Sequence, residues 1–191
     1  MIPQPIIAQY NELSPIPTDE WERIGKLFQP KSIKKNEYFL RIDEIPHSIA
    51  VVLSGIFRLY YIDDNGKEWV KSFESSGGLL AAYAEIIQKK PSRTFIQAIT
   101  DCEILVAPEK DFMAATQGLL CWEAFLRKIA ERYYIRKENR EYEFLKFQAK
   151  ERWDRFNVEF KDIQAQIPDY HIASYLGITP QSLSRLRRPK G

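Results

Sequence analysis

The sequence predicts an α+β protein, β-rich in its first half and helical afterwards. Three observations predict it. Residues 31–108 hold short runs of β-branched and aromatic residues separated by turn signals. From about Glu109 onward the apolar residues recur at intervals of three and four. Neither Gly nor Pro occurs from residue 119 to residue 167.

Composition sets the outer limits. The chain has 191 residues, 45% of them hydrophobic, enough to bury a core in one large domain or two small ones. At 28% charged residues, with no apolar run near the ~18–20 residues of a spanning helix, a membrane protein is excluded. Met1-Ile2-Pro3-Gln4-Pro5 does not have the basic-then-apolar pattern of a signal peptide, so a cytoplasmic chain is expected. Net charge is +2 and says little, but Arg185, Arg187, Arg188 and Lys190 follow Ser182 with no acidic residue among them. Cys102 and Cys121 are too few for a disulfide scaffold and read as buried apolar thiols.

Residues 1–30 read as a helical lead-in. Pro15 and Pro17 precede the amphipathic stretch of Trp21, Ile24, Leu27 and Phe28, with Thr18 or Asp19 as the expected N-cap. Strands are then expected at 37–42, 49–53, 56–62, 67–73, 94–98 and 103–107. Asp63-Asp64-Asn65-Gly66 forms a hairpin turn, because Asn-Gly supplies positive φ angles. Many short strands at regular spacing indicate a sandwich or barrel. Residues 79–90 are apolar at helical as much as strand spacing and predict a short helix, followed by the loop Lys89-Lys90-Pro91-Ser92-Arg93.

The helical half is too long for one typical globular helix, so a long helix, a break and a second helix are expected. Leu119, Trp122, Phe125, Leu126, Ile129, Tyr133 and Tyr134 form an apolar stripe on the first. With no sequence-adjacent partner, that stripe is read as a dimer seam; the competing reading packs it on the chain's own β-domain.

The most specific pattern lies at the C-terminus. Asp169-Tyr170-His171-Ile172-Ala173-Ser174-Tyr175-Leu176 is helical and Gly177 ends it. Thr179-Pro180 starts another helix, Thr as N-cap and Pro in the first turn. Two helices crossing through a tight turn need a small residue where they touch, Ala173, and a positive φ at the turn, Gly177. Ile172, Leu176, Ile178, Leu183 and Leu186 fill the shared core, leaving Gln181, Ser182, Ser184, Arg185 and Arg188 facing outward. This is a helix-turn-helix, whose second helix enters the DNA major groove. Arg185 suits guanine O6 and N7, and Gln181 suits an adenine or another base edge. Thr179, Ser182 and the free helix-start amides suit phosphates; Ser184 belongs to the same outer face. Arg187, Arg188 and Lys190 add salt-sensitive phosphate affinity.

A β-rich half, a long helix and this C-terminal segment resemble the Crp/Fnr family of bacterial transcription regulators over nearly the whole chain. The best match is Ile172-Ala173-Ser174-Tyr175-Leu176-Gly177-Ile178-Thr179-Pro180-Gln181-Ser182-Leu183-Ser184-Arg185. Leu53-Ser54-Gly55-Ile56-Phe57-Arg58-Leu59-Tyr60, Asp64-Asn65-Gly66-Lys67-Glu68 and Pro91-Ser92-Arg93-Thr94 are also family-like. The resemblance implies a cyclic-nucleotide-binding-like jelly roll over 1–116, a dimerisation helix over 117–147 and a helix-turn-helix domain over 148–191. It also implies a homodimer on a two-fold DNA operator, base contacts from Gln181 and Arg185, and RNA polymerase as a further partner. Arg93 and Thr94 match the element that holds the cyclic-nucleotide phosphate. The Gly-Glu pair that holds the ribose falls near Ala81-Ala82, where no carboxylate stands and nearby Glu85 would need a register shift, so cyclic AMP is not the expected effector and no cofactor is expected. With the sequence ending at Gly191, no β-wing is expected either.

The rivals are weaker. A jelly-roll metalloenzyme needs two or three clustered histidines, and only His47 and His171 exist, one in each half, so no enzyme is expected. His171 is expected at the surface or on a phosphate, and His47 exposed in a turn. An iron–sulfur sensor needs about four cysteines. A cyclic-nucleotide- or haem-responsive sensor, the haem held through His47 or Cys102 and the output passed to a protein partner, is the alternative.

Overall fold

The structure, a computed structural model, describes residues 1–188. Two short helices come first, α1 (Gln4–Asn11) and α2 (Thr18–Gly25). Neither Thr18 nor Asp19 caps α2: Pro17 occupies that position, without a side-chain bond, and Thr18 and Asp19 already lie in the first turn. Asn11 ties the two helices together, its Oδ1 accepting from the Ile16 amide and from Trp21 Nε1.

Eight strands follow, β1 (Gln29–Ile33), β2 (Tyr38–Leu40), β3 (Ser48–Ser54), β4 (Phe57–Ile62), β5 (Glu68–Glu74), β6 (Leu79–Leu80), β7 (Phe95–Ala98) and β8 (Cys102–Pro108). They form two four-stranded antiparallel sheets, ordered β1-β8-β3-β6 and β2-β7-β4-β5. Val52, Phe57, Leu80, Ile96 and Ile104 fill the space between them. At the β4–β5 hairpin Gly66 has φ +78° and Asp63 Oδ1 accepts from the Asn65 and Lys67 amides. The sequence did not announce β1 or β6. The first is an exposed edge strand carrying Pro30 and Lys31, where a missing N–H is tolerated; the second is too short for a period. The expected helix within 79–90 is α3 (Tyr83–Gln88).

After α4 (Glu109–Thr116) and the positive-φ Gly118, α5 (Leu120–Lys146) runs for 27 residues, about 40 Å at 1.5 Å per residue. A break at Phe147 precedes α6 (Ala149–Glu159), which opens with a Gln148/Glu151 capping box. A 3₁₀ turn (Gln164–Gln166), α7 (Asp169–Leu176) and α8 (Pro180–Arg187) complete the order. No described helix is long and apolar enough to cross a membrane.

The apolar stripe of α5 does not remain free for a seam. Trp122 and Phe125 are buried, and Leu126 and Ile129 half-buried, against Tyr10, Trp21 and Phe112 of the same chain. The N-terminal helices and α4 supply the partner that the local sequence lacked. What α5 leaves exposed shares only Tyr134 with that stripe: Leu120, Tyr134, Ile135, Tyr142, Phe144 and Leu145. A second core joins the outer face of the β4–β5 hairpin to the C-terminal helices, with Phe73 packed on Phe156, Phe160 and Tyr175.

Candidate nucleic-acid interface and sensor cavity

The turn between α7 and α8 follows from three residues. Ala173 is fully buried where the helices meet. Gly177 takes φ +66°, and the Ile178 amide reaches back to the Ala173 carbonyl at 3.0 Å, closing the helix in a Schellman-type end. A Cβ on Gly177 would sit 2.7 Å from Cε1 of Phe144 on α5. Thr179 then caps α8, its Oγ1 accepting from the Ser182 amide at 3.2 Å. Leu183 is buried and Leu186 and Ile178 are half-buried, so the inner side is apolar.

The outer side is polar. Thr179, Gln181, Ser184, Arg185, Arg187 and Arg188 are exposed, and Ser182 is half-buried with its hydroxyl 3.0 Å from that of Thr179. Arg187 is not free: its Nη1 pairs with Asp169 Oδ1 at 2.6 Å and its guanidinium lies near the Trp153 ring, bracing α8 to α7 and α6. Lys190 lies outside the described residues.

The inner side of α7 docks on the sandwich. β5 is the free edge of its sheet, and such an edge needs partners for its backbone groups. Ser174 supplies two, its Oγ accepting from the Val70 amide at 3.0 Å and donating to the Glu68 carbonyl at 2.7 Å. On α5, Arg140 donates to the Val70 carbonyl at 2.9 Å and Arg136 to the Phe73 carbonyl at 3.1 Å.

His171 is buried here, not on the surface or a phosphate, which corrects the expectation for it. Burial and the positive charge of Arg58 push its pKa down to about 3, so the ring is neutral. Arginine can only donate, so Nδ1 accepts from Arg58 Nη1 at 3.0 Å and the proton sits on Nε2. Arg58 also donates to Gln97 Oε1 at 2.8 Å and pairs with Glu68. None of Arg58, Glu68, Arg136 or Ser174 was singled out from sequence. The one available hint was Arg58 itself, a cation inside a strand of apolar and aromatic residues.

A cavity of about 530 Å³ lies between the sandwich, the N-terminal helices, α3, α4 and α5. Its wall is largely apolar, with Leu59, Ala82, Ile96, Trp122 and Ile129 among the lining residues. The two residues matched to a phosphate-holding element part company. Thr94 is buried on this wall, whereas the Arg93 side chain is 73% exposed and its Nε pairs with Glu85 Oε1 at 3.1 Å. Ala81 and Ala82 line the cavity without offering a hydrogen bond from their side chains. Among the described residues, no group of three or more His, Cys, Asp or Glu is placed to hold a metal.

Comparison with known proteins agrees with this architecture. The family model described as "Cyclic nucleotide-binding domain" matches residues 30–118. The solved structure of FixK2 from Bradyrhizobium japonicum has a TM-score of 0.70 at 21% identity, covering 83% of this chain and 82% of that one. A CooA mutant from Carboxydothermus hydrogenoformans has a TM-score of 0.68 at 20% identity, covering 84% and 75%. The c-di-GMP responsive global regulator CLP of Xanthomonas campestris has a TM-score of 0.71 at 13% identity, covering 89% of each chain. No curated protein matches the sequence. Residues 30–118 are thus similar to the cyclic nucleotide-binding domain family, and the chain as a whole shares the fold of these solved structures.

Proposed function

We propose that this protein is a DNA-binding transcription regulator of Crp/Fnr type, acting in the cytoplasm as a homodimer on a two-fold operator, without cyclic AMP as its effector. The observation that carries the reading is the C-terminal helix pair. One side of α8 is packed through Leu183 while its capped start and polar outer side remain exposed. In this reading Gln181, Ser184 and Arg185 meet base edges, while Thr179, Ser182, Arg188 and Lys190 meet phosphates. Arg187 contributes after exchanging or sharing Asp169. The functional division is a sensor over 1–116, a dimerisation helix over 117–147 and a DNA reader over 148–191. The dimer seam falls on the exposed residues Tyr134, Ile135, Tyr142 and Leu145 of α5, because Trp122 and Phe125 are already used. RNA polymerase is a partner such a regulator meets at a promoter.

Mobility shift of genomic fragments at stepped salt tests this. The expected result is a fragment retained above random DNA, with log affinity falling linearly in log salt at about 0.9 per phosphate contact. Retention of every fragment equal to that of random DNA overturns the proposal.

A further inference from the structure

Resting on the reading of residues 1–116 as a sensor, we propose that the cavity is its effector site and takes a small amphiphilic carboxylate, an apolar chain or ring ending in one negative charge. The cavity is partly open to solvent, and about 530 Å³ lies within the size range of small-molecule sites. A cyclic nucleotide fits its chemistry poorly. Sugar hydroxyls and a phosphate buried there would need several partners, and the polar groups on the wall are largely engaged. Glu85 holds Arg93, and Tyr133 Oη accepts from the Leu79 amide and lies against Glu74. A mostly apolar body matches a wall that is mostly apolar.

The charge is placed by two lysines. Lys71 on β5 and Lys137 on α5 both line the cavity. α5 crosses β5 in a fixed register, Arg136 reaching the Phe73 carbonyl and Arg140 the Val70 carbonyl, so both lysines lie in sequence between these two anchoring contacts. Both are exposed, and neither has an ion-pair partner among the described residues. A mostly apolar cavity therefore carries two exposed cations on its lining, suited to an anionic head on a buried tail.

Trp21 and Trp122 line the same cavity and report its occupancy by fluorescence. The test titrates the full chain with decanoate, 1-decanol and cyclic AMP, below the micellar range. Decanoate is expected to bind saturably at one per chain and 1-decanol on the order of tenfold more weakly, one charge-assisted contact's worth; cyclic AMP is expected to leave the emission unchanged. The double variant Lys71→Gln, Lys137→Gln should bind decanoate as weakly as the alcohol. Equal binding of acid and alcohol by the unmodified chain, tighter binding of cyclic AMP, or no saturable response to decanoate overturns the proposal. DNA retention is measured on the same samples. Retention with no response to decanoate strikes this inference alone, and decanoate binding without retention strikes the regulator reading.

Discussion

Arg58 and His171 form a contact that neither residue's local sequence could announce. His171 stands among polar and apolar neighbours in a helix that is buried on most sides, and only docking onto β5 decides that it lies inside. Its depressed pKa makes the neutral ring the folded form. The unfolded chain then binds the extra proton first, so this contribution to stability is fully present above pH ~6.5 and is lost as pH falls from there toward 3. Thermal melts of the native chain between pH 7 and pH 5 should show a falling midpoint, and His171→Gln should flatten that slope. A slope unchanged by the substitution would mean that other groups carry it. Arg185 belongs to the opposite situation, since its exposure and its place on the outer side of α8 were both legible from spacing. Arg185→Ala should cost about 1–3 kcal/mol of operator affinity and relax preference at one base pair, read by competition with base-substituted operators. An equal loss on all sequences would assign the side chain to phosphate.

At the scale of elements, those with local chemistry were legible. The Asn65-Gly66 hairpin, the Thr179 cap and the Gly177 stop each depend on one or two residues whose backbone preferences dominate. Elements fixed by distant partners were not. The two residues of β6 are a strand because β3 lies beside them, and Trp122 and Phe125 of the α5 stripe are buried because α1 and α2 fold over them. A stripe of apolar residues states that something covers it and leaves open what. Gly177 shows how a local signal acquires a tertiary constraint, because Phe144 from α5 fills the space that a side chain would need. Gly177→Ala should therefore destabilise the chain by about 1–2 kcal/mol through left-handed backbone strain alone, with any displacement of Phe144 added. Gly25 is the control, a helical glycine with nothing within 4 Å of a Cβ, where alanine should be neutral or stabilising. Urea melts of the two variants should move in opposite directions or leave Gly25→Ala in place.

Across the whole molecule, the β-sandwich, the long helix α5 and the C-terminal helices meet at Arg136. Its Nη1 pairs with Glu74 of β5 at 2.8 Å, its Nε with Glu159 of α6 at 2.9 Å, and its Nη2 holds the Phe73 carbonyl. Burial works against the Arg136 cation, and the two carboxylates outweigh it and raise its pKa. Burial likewise pushes Glu74 up, and Arg136 pulls it partly back. A fold with its second core shared between sheet and helices needs such a junction to fix how α6 sits on β5. Nothing in the sequence around Arg136 separates it from the other basic residues of α5, because its partners lie 62 and 23 residues away. Arg136→Met removes the cation and leaves Glu74 buried. The expected loss is about 2–4 kcal/mol, below that of a fully enclosed pair because Arg136 is 31% exposed and solvent screens it. Its pH dependence has the opposite sign to that of His171. In the variant Glu74 holds its proton more tightly than in the native fold, so the deficit relative to the native chain should be small while Glu74 is protonated in both and should grow as pH rises through the native Glu74 pKa, itself raised above the usual carboxylate range. Hydrogen exchange locates the effect: amides of α6 and α7 should lose protection first while those of β3 and β8 keep theirs. Uniform loss across both sheets would mean that Arg136 supports the fold as a whole and does not join its two halves.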